Sequence, residues 1–234
     1  MKKLIKHTFI LIILAALAAG GIYTYKGYRM YKAVLQRESI EEKVDSIKAR
    51  DNYVSLEELP QTYINAVIAV EDHRFYNHGP VDVLAIGRAI WNNLKSQSFT
   101  VGGSTITQQL AKNLFFTQDK VLERKVAEVF MARDLERLYG KNTVLELYVN
   151  TIYFGSGYYC VYDASKGYFG IEPQEMTDYQ CIMLAGIPNA PSIYSLDASP
   201  ELASQRQKQV LDRMVKYGYI SDDESAEILD SGNN

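Results

Sequence analysis

At 234 residues, 47% hydrophobic and 23% charged, the chain has the bulk for one domain with its own core behind an apolar N-terminal segment, and no room for a second catalytic domain. A formal net charge of -3 and a pI near 5.7 exclude a whole-molecule field that attracts nucleic acid, so any anion site has to be local. Cys160 and Cys181 allow one bridge at most and lack the spacing or flanking histidines of a zinc site, so both read as buried packing residues.

In chain order, the basic tip Met1 to Lys6 precedes an apolar run from Thr8 to about Ile22, followed by Tyr23, Tyr25 and Tyr28. Basic residues ahead of such a run keep the N-terminus cytoplasmic, and interfacial tyrosines extend a slightly short span. One transmembrane anchor over residues 1–27 is expected, with the body outside. A cleaved signal peptide, with Leu17 to Gly20 as its small-residue site, is the alternative and exports the body equally. Residues 28–54 are charged and helix-permissive and read as a stalk; residues 55–234 read as the catalytic domain.

Helical signals dominate that domain. Ile64, Val67 and Ile68 place a helix that ends near Glu71; Asp82 caps one whose core stripe is Val83, Ile86, Ile90 and Leu94; Ser104 caps another through Ile106, Leu110 and Leu114. A long amphipathic helix runs from Val121 to Tyr139 and stops at Gly140, and a shorter one covers Val144 to Ile152. Thr177 with Gln180, Ser199 before Pro200, and Ser221 with Glu224 each open a further helix. No stretch alternates convincingly as a strand does, so the fold class is mainly α.

Three stretches carry chemistry. Glu71-Asp-His-Arg-Phe-Tyr-Asn-His78 sits at the C-terminal end of an apolar helix, and Glu71 shares the face of Ile64 and Val67. Partial desolvation and the negative helix end both raise a carboxyl pKa there, which suits a general base on a sugar hydroxyl; a capped helix end followed by a polar turn has the same pattern. A metal site on His73 and His78 matches no familiar ligand spacing. Val101 to Asn113 is a glycine-rich turn that feeds a helix N-terminus, where free N–H groups favour an anion, and Thr105, Gln108 and Lys112 line one polar face. Lys120, Arg124, Lys125 and Glu128 have the spacing of a salt-bridge ladder and equally of a cationic clamp on a diphosphate.

Together and in this order these stretches resemble the family 51 glycosyltransferases, peptidoglycan polymerases found alone or fused to penicillin-binding transpeptidases. The resemblance covers about Leu59 to Ile220. It rests on Glu71-Asp72 with Phe75 and His78, on Gly102 to Gln109 with Lys112-Asn113, on Arg124-Lys125 with Glu128, on Leu145-Glu146 with Tyr148 and Asn150, and on Tyr168-Phe-Gly170. Three positions depart from the family pattern: Pro80 stands where a glycine is usual, and Cys160 and Asp163 where small residues are more common.

The resemblance implies a lysozyme-like all-α lobe with a small membrane-associated lobe, for whose dipping surface Phe99, Phe115 and Phe116 are candidates. It implies a single-pass protein of the cytoplasmic membrane with its catalytic domain on the outer side, polymerising glycan from lipid II with inversion and release of undecaprenyl diphosphate. Glu71 and Glu128 would be catalytic. Asp72, Phe75, His78, Gly103, Ser104, Thr105, Gln108, Gln109, Lys112, Asn113, Lys120, Arg124 and Lys125 would bind substrate. A divalent cation, Mg or Mn, would assist the diphosphate, with no organic cofactor. Implied partners are lipid II, the growing lipid-linked strand, the membrane, and transpeptidase or division and elongation proteins, but no nucleic acid. A glycoside hydrolase of the same wall is the main rival reading, which the Lys/Arg cluster disfavours, and a non-enzymatic precursor-binding scaffold is the third.

Overall fold

The computed structural model describes residues 2–96, 103–117 and 121–232, apart from the side chains at 2–4, 90, 93, 94 and 96. Among them there is no β-strand, and the chain is mainly α, as the periodicities require. Eleven α-helices follow in order among the described residues: α1 Lys2–Leu35, α2 Ile40–Lys48, α3 Gln61–Glu71, α4 Val83–Ser96, α5 Ile106–Phe115, α6 Leu122–Val149, α7 Val161–Phe169, α8 Asp178–Gly186, α9 Pro191–Tyr194, α10 Pro200–Lys216 and α11 Asp222–Ser231.

The core forms around α3, which packs against α8 and α10 and is therefore apolar nearly all round: Tyr63, Ile64, Ala66, Val67, Ile68 and Ala69 are buried. The facing run Cys181 to Gly186 of α8 is buried at every residue. Removing a Leu184 or Ile182 side chain from water contributes about 1.5–3 kcal/mol each, before entropy is counted. A second layer consists of α5 lying along α6, through Ile106, Leu110 and Ala111 against Ala127, Met131 and Leu135. The sequence from residue 28 to 54 contributes to this core, with Tyr31, Ile40, Val44, Ile47 and Val54 buried.

Local chemistry explains most helix ends. Thr177, Ser199 and Ser221 accept from the N–H groups of Gln180, Leu202 and Glu224, and Asp82 Oδ1 accepts from the N–H of Ala85, as expected. The cap of α5 is Thr105, one residue beyond the expected Ser104, because Gln108 stands at the position that completes a reciprocal capping box with Thr105. In α6 the backbone breaks at Gly140 (φ 72°, ψ 176°), so the two segments read from the sequence are real and meet in a kink only glycine tolerates. Cys160 caps α7 through Sγ, and Asn52 donates to both oxygens of Asp163, which gives two of the three residues that depart from the family pattern a local role.

Two expectations about apolar faces are overturned. Val83 and Ile86 of α4 are exposed, whereas Ala89 is buried, so the stripe taken for core faces outward at both; Ile90 and Leu94 fall outside the described side chains. Phe115 is buried and Phe116 packs against the core, so neither offers a dipping surface, and Phe99 lies outside the described residues. The large exposed apolar side chains of this region are instead Val83, Leu84, Ile86 and Trp91. Apolar periodicity reports a face that avoids water without saying what covers it.

Candidate active site

The C-terminus of α3 and the middle of α5 meet at Glu71, and Lys112 of α5 lies between Glu71 and the charged residues of the first turns of α6. Glu71 is the last residue of the buried helix; its Oε2 accepts from Gln109 Nε2 at 2.8 Å, while Oε1 is buried with no hydrogen-bond partner among the described residues. Burial pushes its pKa up, and the Asp72 carboxylate adds to this; the Gln109 bond and the charges of Arg206 and Lys112 pull the other way. The result is a carboxylate held in a dry position, its second oxygen uncommitted.

Gln109 is itself oriented from behind, since Tyr148, wholly buried, donates to Gln109 Oε1 at 3.3 Å. Three and four residues along α5, Lys112 and Asn113 are half-buried. Lys112 lies in the field of Glu71 on one side and of Glu128, Arg124 and Lys125 on the other, and burial lowers its pKa. The expected stripe Thr105, Gln108, Lys112 is thus displaced by one residue. Thr105 and Gln108 are buried as the capping box, and Gln109 with Lys112 carries the site-facing role.

Glu128 is fully buried and tied to two cations. Lys125 Nζ donates to its Oε2 at 2.7 Å and to Ser104 Oγ at 2.8 Å; Arg124 Nε lies 2.9 Å from Oε1, out of line for a hydrogen bond. The ladder of the sequence reading is present: Glu128 fixes the two cations, and Lys125 remains half-exposed. Gly103 packs where a Cβ would lie 3.2 Å from the Ile86 backbone, bringing the turn onto α4. Lys120 lies outside the described residues.

Asp72 and His78 brace the site from the side. Asp72 Oδ1 bonds His78 Nε2 at 2.7 Å, Oδ2 accepts from the Ile106 N–H at 3.2 Å, and His78 Nδ1 meets the Gly79 carbonyl at 2.5 Å. Phe75 is wholly buried, under Lys141 at 4.5 Å from its ring centroid, so it supports the turn from the core and does not face substrate. His73 stacks on Tyr217 with centroids 3.9 Å apart, and the ion-sized cluster among the described residues is formed by His78 with Asp72 and Asp82, without His73.

Asp72, His78 and Asp82 do approach one another closely enough to share an ion. Their donor atoms are already committed: Arg74 pairs with Asp82 and holds its carboxyl down at about 2, Ala85 N–H uses the same carboxylate, and Asp72 is taken as above. This set does not fit a divalent cation.

One charged residue near the site was not singled out by the sequence. Arg206 of α10 is largely buried, its Nε donating to the Gly186 carbonyl at 3.3 Å and its guanidinium 5.8 Å from the Tyr194 ring centroid, and its charge acts on Glu71. The available signal was positional: Arg206 stands between the buried Ala203 and Val210 at three- and four-residue spacing, and a cation on a buried stripe needs an anionic partner.

Residues 37–215 match the family described as transglycosylase. The chain is 44% identical over 177 residues to penicillin-binding protein 1A of Aquifex aeolicus, covering 76% of this chain and 24% of that protein. It is 42% identical over 170 residues to a Cupriavidus necator protein whose name marks it as a candidate transglycosylase, covering 73% of each. The chain thus spans about a quarter of the penicillin-binding relative and nearly three quarters of the shorter one. A crystal structure of penicillin-binding protein 1A from Haemophilus influenzae is similar over 76% of this chain and 17% of that one, with 24% identity and a TM-score of 0.45, too loose a likeness to carry an argument.

Proposed function

Because the chain belongs to the transglycosylase family, matched over residues 37–215, we propose that it is a peptidoglycan glycosyltransferase that extends glycan strands from a lipid-linked disaccharide. The observation that carries this reading is the juxtaposition of a buried carboxylate with one unpartnered oxygen, Glu71, and a cationic wall of Lys112, Arg124 and Lys125. A base beside a polycationic wall suits transfer from a diphosphate, whereas hydrolysis of a neutral glycan leaves those cations without a task.

In the proposed step Glu71 takes the proton of the acceptor sugar's 4-hydroxyl as that oxygen bonds to the donor's anomeric carbon. The bond from that carbon to the diphosphate breaks, and undecaprenyl diphosphate leaves with the electron pair. Attack opposite the leaving group inverts the α-linked donor to a β-1,4 product. Lys112, Arg124 and Lys125 neutralise the departing charge, and Glu128 holds Arg124 and Lys125 in place. Asp72, His78 and Ser104 fix the turn and the clamp. A divalent cation assisting the diphosphate would sit away from the Asp72 cluster, whose carboxylate and imidazole donors are already used.

The same reading places the protein at the cytoplasmic membrane, with α1 as a single span and the domain on the outer side. Its support is the window Ile5–Leu35, of mean hydropathy 2.0 in its most apolar stretch and none of that stretch buried, together with the basic tip and the outward apolar residues of α4. Transpeptidases of the wall are its natural partners, because the polymer must then be cross-linked. The reaction is tested by supplying a radiolabelled lipid-linked disaccharide and measuring undecaprenyl diphosphate release against new β-1,4 linkages. One-to-one release supports transfer, and linkage of the retained α configuration would contradict the single-displacement step.

A further inference from the structure

A groove of about 550 Å³ lies between α1 and the start of α6, outside the catalytic cluster but touching it. Gly20 and Tyr23 form one wall and Leu122, Val126 and Val129 the other. That volume is ordinary for a small-molecule site, and the lining is apolar almost throughout. The exceptions are Thr24 and Lys125, and Lys125 lines the groove while its ammonium reaches Ser104 and Glu128 in the proposed diphosphate clamp.

The groove is built by a fixed helix pair. The two helices run in the same direction, joined by the Lys26–Glu123 ion pair at 3.4 Å, by the Tyr28–Phe130 edge contact at 5.4 Å and by the hydrogen bond from Tyr31 to Asp134. Gly27 abuts Val126 so closely that a Cβ there would fall 2.5 Å from the valine Cβ. On the N-terminal side of that contact the apolar segment of α1 continues toward Thr8, so one wall of the groove belongs to the helix long enough to cross a bilayer.

We propose that this groove holds the first isoprene units of the polyprenyl chain of the lipid diphosphate, with Lys125 at the junction between tail and headgroup. The inference rests on the polymerase reading for its ligand class. It follows from continuity: an anion held by the clamp has its diphosphate ester beside Lys125, and an apolar chain leaving that point enters the groove and meets the membrane helix. Chain recognition here gives the site a grip on the lipid independent of the sugars.

The test uses the full chain in nanodiscs of phosphatidylglycerol and phosphatidylethanolamine. A Cβ on Gly20 meets no described atom within 4 Å, so Gly20→Trp fills the groove without disturbing the seam; Val129→Trp fills it from the other wall. Binding of undecaprenyl diphosphate should weaken at least tenfold in both variants, while inorganic diphosphate binds as in the unaltered protein. A photoreactive undecaprenyl diphosphate should label peptides spanning residues 20–24 or 122–130 in the unaltered protein, a readout that needs no variant to fold. Labelling elsewhere, or unchanged affinity in folded variants, would overturn the assignment. If the protein still polymerises in that case, the groove alone is lost; a protein that neither polymerises nor takes up the probe loses both readings.

Discussion

Glu71 is where a single residue sets the behaviour of the site. Its function needs the charged form, and burial favours the neutral one, so the rate should fall on the acid side with an inflection above the ordinary glutamate value of about 4.3. The native protein keeps this proton to higher pH than the unfolded chain. Stability therefore declines as pH rises from the unfolded to the native pKa, and Glu71→Gln should melt at a higher temperature at neutral pH while losing turnover. Arg206→Ala removes a charge that lowers the Glu71 pKa, so the acid limb of the pH–rate profile should move to higher pH, whereas Arg206→Lys should largely restore it. A limb that stays in place in the alanine variant would show that Arg206 acts on packing alone. The buried position of Glu71 was legible because Ile64 and Val67 on its own helix mark its face; the approach of Arg206 was not, since it comes from a helix far along the chain, and spacing has no reach over such a distance.

Capping and kinking decide the elements. Replacing Thr105 by Ala removes the acceptor for the Gln108 N–H and the donor to the Pro80 carbonyl, a loss of about 1 kcal/mol in an unfolding titration. Gly140→Ala forces a Cβ onto a backbone with φ 72° and ψ 176°, a region nearly closed to other residues, and should cost about 1–3 kcal/mol. Equal stability in that variant would mean that the two halves of α6 straighten without loss. Caps such as Thr177, Ser199 and Ser221 could be read directly because their physics spans three residues. Ser104 and Thr105 both carry a capping hydroxyl, and only the reciprocal Gln108 contact separates them. The α4 stripe and the Phe115–Phe116 pair were misassigned for a related reason, because hydropathy gives the same signal for protein core and for lipid-facing surface.

For the molecule as a whole, the decisive feature is that α1 packs along α6, the helix that carries the cationic clamp. The apolar segment and its basic tip were plain from sequence; the seam was not, since it depends on Gly27 admitting Val126 and on tyrosines that composition alone assigns to an interface. Gly27→Leu should wedge the helices apart, lower the thermal midpoint and expose the seam to protease, and unchanged proteolysis would show that the contact is dispensable. The central claim, a base and a clamp that polymerise lipid-linked disaccharide, is tested most directly by incubating the detergent-solubilised protein with lipid-linked disaccharide-pentapeptide and resolving the products by size beside Glu71→Gln. Ladders of glycan that vanish in the variant are the predicted result; absence of polymer, with cleavage of preformed glycan instead, would contradict it and assign the site to a hydrolase.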